Sequence, residues 1–277
     1  MGHHVSAGTR RDFLRLQQGA ASLADVCWLY DNRAAAVPDF LHNQRCYPFS
    51  PQQIAGLRYT TLKGTMTPGH CHFPLLRFFR DFPNYEYYWL IEYDVHYAGD
   101  WSAFFQEFSQ DSADFLTSHI RHQHEEPQWR WWHLRHPRQS IPLASRLRSF
   151  NPIFRISRRA LERLDAELRD GWCGHSEELL PTLLHLHGFR LADLGGSGSF
   201  TPPERKGRLY IDAPPDASGR MRGGSMRFHP AFWQPGSRKG LLYHPIKPLP
   251  TVLKSWLQEV RLQTRPLRVK ARKLCRL

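Results

Sequence analysis

The run Tyr87-Tyr88-Trp89-Leu90-Ile91 is continuously apolar and ends in Glu92-Tyr93-Asp94, which carries two carboxylates. So short a run suits a strand covered on both faces better than a buried helix. A chain with such a strand must supply layers on both sides of it, which points to helices packed on a central sheet. Other segments repeat the pattern. Residues 25–31 form an apolar run closed by an acid, and 113–120, 152–157 and 189–194 are further strand candidates. Helical stretches separate them over 10–18, 70–82, 101–108, 158–168 and 176–186, with Asp100 and Ser157 standing as N-caps. Strand alternating with helix predicts an α/β fold with a mostly parallel central sheet flanked by helices. The expected organisation is one domain over 1–250 and a basic helix or tail over 251–277. Helix 10–18 followed by strand 25–31 is the second half of a βαβ unit. Its first strand has to end near 2–5, so that strand is very short or the chain starts late.

Apolar residues make up 41% of the 277, and 19 glycines accompany them, enough to build a core and to exclude global disorder. No stretch of 18 uncharged apolar residues occurs, and the N-terminal MGHHVSAGTRRDF has no apolar region of a signal peptide. Lys and Arg outnumber Asp and Glu by 38 to 25, a net charge of +13. The expected partner is therefore anionic: a nucleotide phosphate, a nucleic acid or a membrane surface. Five cysteines with no CxxC pair favour free thiols and a reducing compartment. Residues 254–277 hold eight basic residues against Glu259 alone, which reads as an exposed tail or docking helix. Residues 195–224, rich in Gly, Pro and Ser, read as a long mobile excursion.

Three places carry chemistry. Glu92 and Asp94, at i and i+2 of a strand, share one face and can approach one cation. The carboxyl end of a strand is where ligands bind in open α/β sheets, and carboxylates completed by substrate phosphates hold hard divalent cations. Glu177 and Glu178 stand in the first turn of an apolar helix, where the helix dipole keeps a carboxylate ionised and usable as a base. His244 and Lys247 follow the apolar run Leu241-Leu242-Tyr243, the first a candidate metal ligand and the second a candidate phosphate partner. Other features read more plainly. His119, His122, His124, His133 and His136 with Glu125 and Glu126 are expected to form a solvated loop. Trp129, Trp131 and Trp132 suit a sugar-binding platform or core packing equally. Gly195-Gly196-Ser197-Gly198 is a weak match to a phosphate-cradling loop.

The order of acid-ended strand, ADFLTSH, NPIFRISRRALERL, GWCGHSEELLPTLLHLHGFRL and YHPIK resembles a nucleotide-diphospho-sugar glycosyltransferase of the GT-A type, over about residues 25–247. The resemblance implies a Rossmann-like domain that uses a nucleotide-sugar donor and a carbohydrate or lipid-linked acceptor. Its implied setting is bacterial, in envelope or extracellular polysaccharide synthesis. Glu92-Tyr93-Asp94 takes the place of the family's DxD motif, with Glu for the first acid, and implies a divalent cation, Mn or Mg, on Asp94, Glu92 and the late histidine His244. The resemblance places Glu178 at the base position beside Glu177, and Asp31 at the nucleoside. Arg155, in the strand-to-helix turn FRISRRAL, and Lys247 complete the implied donor site. The expected location is cytoplasmic and peripheral at the inner membrane face, with an anionic membrane surface as a further partner. The alternative is a non-catalytic basic protein that binds nucleic acid or an anionic surface. No helix-turn-helix, zinc-finger, RRM or KH signature accompanies the charge, so nucleic acid is not the expected partner.

Overall fold

A computed structural model describes residues 1–33, 35–66, 69–217 and 219–260. In chain order the elements are α1 (Ala7–Ala20), β1 (Trp28–Asp31), α2 (Asp39–His42), β2 (Cys46–Phe49), α3 (Pro51–Ala55), α4 (Phe73–Asp81), β3 (Tyr87–Ile91), β4 (His96–Tyr97), α5 (Trp101–Phe108), β5 (Phe115–His122), β6 (Leu147–Ser157), α6 (Arg158–Asp170), α7 (Ser176–Leu186), β7 (Leu191–Asp193) and β8 (Leu242–Tyr243). A further helix runs over 249–260. The fold is α/β.

Local chemistry explains the clearest elements. Asp100 caps α5 by accepting from the Ser102 amide at 3.0 Å, and Trp101, Phe104, Phe105 and Phe108 recur at helical spacing to bury one face. Ser157 ends β6 and caps α6, accepting from the Ala160 amide at 3.3 Å. Gly171 closes α6 at φ 121°, where a side chain would also crowd Pro137.

Strands pair in the order β3-β6-β5-β7, with β6 antiparallel to both neighbours and β7 parallel to β5. β1 and β2 form a parallel pair. Met1 and Gly2 join the two groups. The Gly2 amide donates to Leu29 O at 3.0 Å and Gly2 O accepts from Asp31, while the Met1 ammonium donates to Ile91 O at 2.6 Å and Met1 O accepts from Tyr93. This is parallel pairing on both sides, so one sheet runs β2-β1-(1–2)-β3-β6-β5-β7. The strands of this sheet are mostly parallel: β6 alone, near the centre, runs against the rest. Apolar side chains cover both faces. Leu76, Phe79, Leu161, Leu164, Leu180 and Leu184 build one cluster, and Phe104, Phe108, Leu116, Ile153, Leu194 and Leu242 build the other. Residues 195–226 form a long connection, yet Leu209, Tyr210 and Met221 pack into the second cluster. No helix of the described residues is long and apolar enough to cross a membrane. The basic segment expected over 251–277 is described as far as 260; its remainder lies outside the described residues.

Candidate functional site

Residues 1–2 pair with β1 on one side and β3 on the other, so the chain order of the strands reverses there. Ligands of open α/β sheets bind at the carboxyl ends beside such a reversal. β3 delivers Glu92-Tyr93-Asp94 to that edge. The opposing piece is 244–247, held against it by the Ile246 amide, which donates to Asp94 O at 2.8 Å. His244 Nε2 lies 3.6 Å from Asp94 Oδ2 and 3.8 Å from Glu92 Oε2, although 150 positions separate His244 from Asp94. Ligand atoms of Glu92, Asp94 and His244 all fall within 4.8 Å of one another. Lys247 Nζ is 2.6 Å from Asp94 Oδ2 and donates to the Tyr93 hydroxyl at 2.8 Å.

The bonding of this cluster is incomplete. Asp94 Oδ1 is buried without a hydrogen-bond partner. His244 Nδ1 lies 2.9 Å from Arg227 O and so carries the proton, which leaves the Nε2 lone pair directed at the carboxylates. Burial holds His244 below its ordinary range, against the pull of Asp94, so the ring is neutral near pH 7. Burial pushes the Glu92 carboxyl up to about 8, and the adjacent Asp94 charge adds to the shift. Burial also works against the Asp94 carboxylate, yet His244 and Lys247 hold it below the usual range. With both acids ionised, two negative charges face the Lys247 ammonium and the buried Met1 amino group. A buried oxygen without a donor, a second carboxylate and a free imidazole lone pair form a donor set suited to Mn or Mg.

Glu177 and Glu178, neighbours in the first turn of α7, meet different surroundings. Glu178 is fully buried and saturated: Oε1 receives Arg146 at 2.9 Å and Oε2 receives the His133 amide at 2.8 Å. That bonding makes it a structural anchor, which corrects its placing as the base. Burial raises the Glu177 carboxyl to about 7, opposed by Arg148 and the Asn151 amide. Its Oε2 lies 4.0 Å from Arg148 Nη2. Asn151 precedes Pro152, whose carbonyl accepts from the Glu92 amide at 2.8 Å, so β6 connects the two sites. The Cys71 thiol, 3.4 Å from Ser176 Oγ, is pushed up to about 12 by burial, with both Glu92 and Glu177 contributing.

Arg155 is corrected as well. It points away from this edge, donates to the carbonyls of Phe108, Asp111 and Ala113 at 2.5–3.1 Å, and lies over the Tyr87 ring. It ties α5 to the sheet. Asp31 does stand at the carboxyl end of β1, buried, but is held by Arg33 Nε at 2.8–2.9 Å. A cavity of about 1140 Å³ opens between β1 and β3; Glu92 and Tyr93 line it, together with apolar residues such as Leu29, Trp89 and Phe105, and Asp94 does not.

Sequence reasoning missed a second cluster. His119, expected in a solvated loop, is buried with Nε2 2.5 Å from Glu126 and Nδ1 3.0 Å from Asp212. Arg148 binds Glu126 at 2.7 Å, and Arg121 and Ser197 bind Asp212. The two carboxylates outweigh burial and raise His119. The glycine loop serves this cluster and its neighbour Asp193: the Gly195 and Gly196 amides donate to Asp193 Oδ1 at 2.9 Å, and Ser197 to Asp212. Those amides are thus not a phosphate cradle. Trp129 is buried and Trp131 half-buried, the latter stacked on His175 at 5.0 Å. His175 caps the helix that carries Glu177. No protein-family model matches the chain, and no curated protein is significantly similar to it.

Proposed function

We propose that the chain is a glycosyltransferase of the GT-A kind, moving a sugar from a nucleotide-diphosphate donor to an acceptor hydroxyl. The observation that carries this reading is the incomplete cluster of Glu92, Asp94 and His244 beside Lys247, at the carboxyl edge of the sheet next to its reversal of strand order. Carboxylates at the site of an anionic ligand make sense with a cation between them, and the donor atoms present fit one. Asp94, Glu92 and His244 would hold it, and a bound divalent ion would offset diphosphate charge. Strands running one way with a single reversed member also agree with the fold that the resemblance implies.

The chain's own groups supply the remaining chemistry. Glu177 is the base of this reading. Its raised carboxyl is balanced near neutrality, where a base combines availability with strength. It takes the proton of the acceptor hydroxyl as that oxygen bonds to the anomeric carbon. The bond from that carbon to the diphosphate oxygen breaks, and the nucleoside diphosphate leaves with the electron pair. Lys247, already oriented by Asp94 and Tyr93, stabilises the charge on the leaving group. Half-buried Trp131, next to the cap of α7, is a surface for the acceptor ring.

A thermal-shift panel tests this. The full chain is heated with each common nucleoside diphosphate, with and without manganese. Stabilisation by at least one of them, larger with manganese, is the expected result. A flat response to all of them in both conditions rejects a nucleotide-sugar enzyme.

A further inference from the structure

The net charge is not spread along the chain. Residues 221–277 contain thirteen Lys and Arg and one acid, Glu259, whereas the first 220 residues contain 25 and 24. The single acid is buried and lies 3.1 Å from the Arg222 guanidinium. The exposed surface of this basic segment therefore carries no carboxylate among the described residues.

The same segment exposes apolar side chains together. In the 249–260 helix, Val252, Ser255 and Glu259 face inward. Leu249, Leu253, Trp256 and Leu257 are 46–59% exposed. At 3.6 residues per turn those four fall within an arc of roughly 100°, about a third of a turn from the buried face. Lys254 and Gln258 occupy the remaining side. Phe228 and Trp233, 55% and 59% exposed, belong to a loop fixed to this helix: the Ala231 amide donates to Ser255 Oγ at 3.0 Å, and His229 Nδ1 lies 3.3 Å from the same oxygen. Scattered exposed apolar residues need no explanation, but a helical stripe accompanied by two exposed aromatic residues on a loop bonded to the same helix does.

We propose that the exposed stripe of the 249–260 helix, with Phe228 and Trp233, docks on an anionic lipid bilayer. An apolar face with Trp at its margin and a cationic flank is the pattern of a helix lying in the interfacial plane. Charge decides the composition. Twelve of the thirteen net positive charges reside in this segment, and each basic residue that reaches an anionic surface multiplies partitioning roughly fivefold at low salt. The docking face adjoins the candidate site, since the Arg227 amide donates to His244 O at 3.2 Å and Phe228 follows directly. The inference stands on the surface alone and holds whatever reaction the site performs.

Sedimentation of the full chain with vesicles tests it, using phosphatidylglycerol in phosphatidylcholine against pure phosphatidylcholine. Strong partitioning to the anionic vesicles is expected, falling with salt. The double variant Leu253→Glu, Trp256→Glu changes exposed positions, so its melting temperature should be unchanged while its partitioning falls at least about tenfold. Quenching of tryptophan fluorescence by brominated lipid should be smaller in Trp256→Phe than in the parent. Equal binding to neutral and anionic vesicles, or full binding by the double variant, overturns the proposal. So does a stable dimer that the double variant dissociates without any vesicle binding, or binding to duplex DNA and to no vesicle.

Discussion

Glu92, Asp94 and His244 at the end of β3, and His119, Glu126 and Asp212 around the second half of β5, are both acid–imidazole clusters of one sheet. They differ in what completes them. In the β5 cluster protein groups meet every acid and imidazole atom: Arg148, Arg121 and Ser197 satisfy its carboxylates, and the carboxylates satisfy both imidazole nitrogens, while Arg148 Nε alone is left buried without a partner. The β3 cluster has Lys247 bonded to one of its two acids, the Met1 amino group near both, an orphaned Asp94 oxygen and an imidazole lone pair facing the carboxylates. Residue types are nearly the same. A buried polar group without a partner costs stability, so its persistence marks the place where something outside the chain is expected to bind.

The largest effect should come from opening the closed cluster. Arg148→Met removes the guanidinium that faces Glu126 and leaves that buried carboxylate with His119 as its remaining charged partner, at a cost of about 3–5 kcal/mol by chemical denaturation. A cost below about 1 kcal/mol would erase the distinction drawn between the two clusters.

Glu177 and Glu178 repeat the contrast at adjacent positions. Glu177 has an ordinary value of 4.5 and is raised to about 7, so folding favours its protonated form. Its stabilising contribution is complete below pH 4.5 and is lost as pH rises through about 7. Glu177→Gln stays neutral at all pH values. It should match the parent below pH 4.5 and exceed it by about 3 kcal/mol at pH 8. Burial raises the Glu178 carboxyl as well, opposed by Arg146 and the His133 amide, so Glu178→Gln sheds a buried charge but also weakens the bond to Arg146, and its gain at pH 8 should be the smaller of the two. The difference in gain between neighbouring isosteric changes is the readout; equal gains would assign both residues the same role.

What the sequence made legible follows the same division. α5 and α7 were readable to the residue because local signals set them: Asp100 and Trp101 through Phe108 in one, the acid-led apolar run before Gly188 in the other. Glu92, Asp94 and His244 were legible because a strand end and a short apolar run each deliver their next residue to the sheet edge. The closed cluster was not, since 93 positions separate His119 from Asp212 and only packing brings them together. β6 reaches back to Leu147, but Arg148 in its second position resembles a loop residue until Glu126 neutralises it. Arg155 misled in the opposite direction: the resemblance of the turn FRISRRAL implied a donor-site residue, while carbonyls at the end of α5 satisfy it. Choosing between Glu177 and Glu178 requires a helix orientation, which one step of about 100° changes and composition does not encode. β2, β4 and β8 are too short to carry a pattern.

Manganese should act on the open cluster alone. At a hundred times its dissociation constant the ion adds about 2.7 kcal/mol of stability. Asp94→Asn and His244→Ala should each abolish that gain in thermal unfolding, and Arg33→Gln, which loses the pair with Asp31, should retain it. Stabilisation that survives in both cluster variants would place the ion elsewhere.

The smallest effect concerns Lys247, because its ammonium stands where a cation would meet Asp94. Nζ lies 2.6 Å from Asp94 Oδ2 and is also anchored by the Tyr93 hydroxyl, so an incoming ion must either displace it or share the oxygen. In Lys247→Met the Asp94 carboxylate loses the ammonium bonded to it. That loss lowers the stability of the metal-free chain by about 1 kcal/mol, the scale of a hydrogen bond to a charged group. The same variant presents an uncontested pair of acids to the ion, so manganese should bind about tenfold more tightly, or 1.4 kcal/mol. Nucleoside diphosphate should respond in the reverse sense, since the variant has lost a positive charge at the phosphates. Calorimetric titrations of manganese and of the diphosphate therefore separate two roles for one side chain. Tighter ion and weaker diphosphate binding identify a phosphate ligand held in reserve by Asp94. Weaker binding of both would show that Lys247 builds the cluster, and its closeness to Asp94 would then be structural, like that of Arg146 to Glu178.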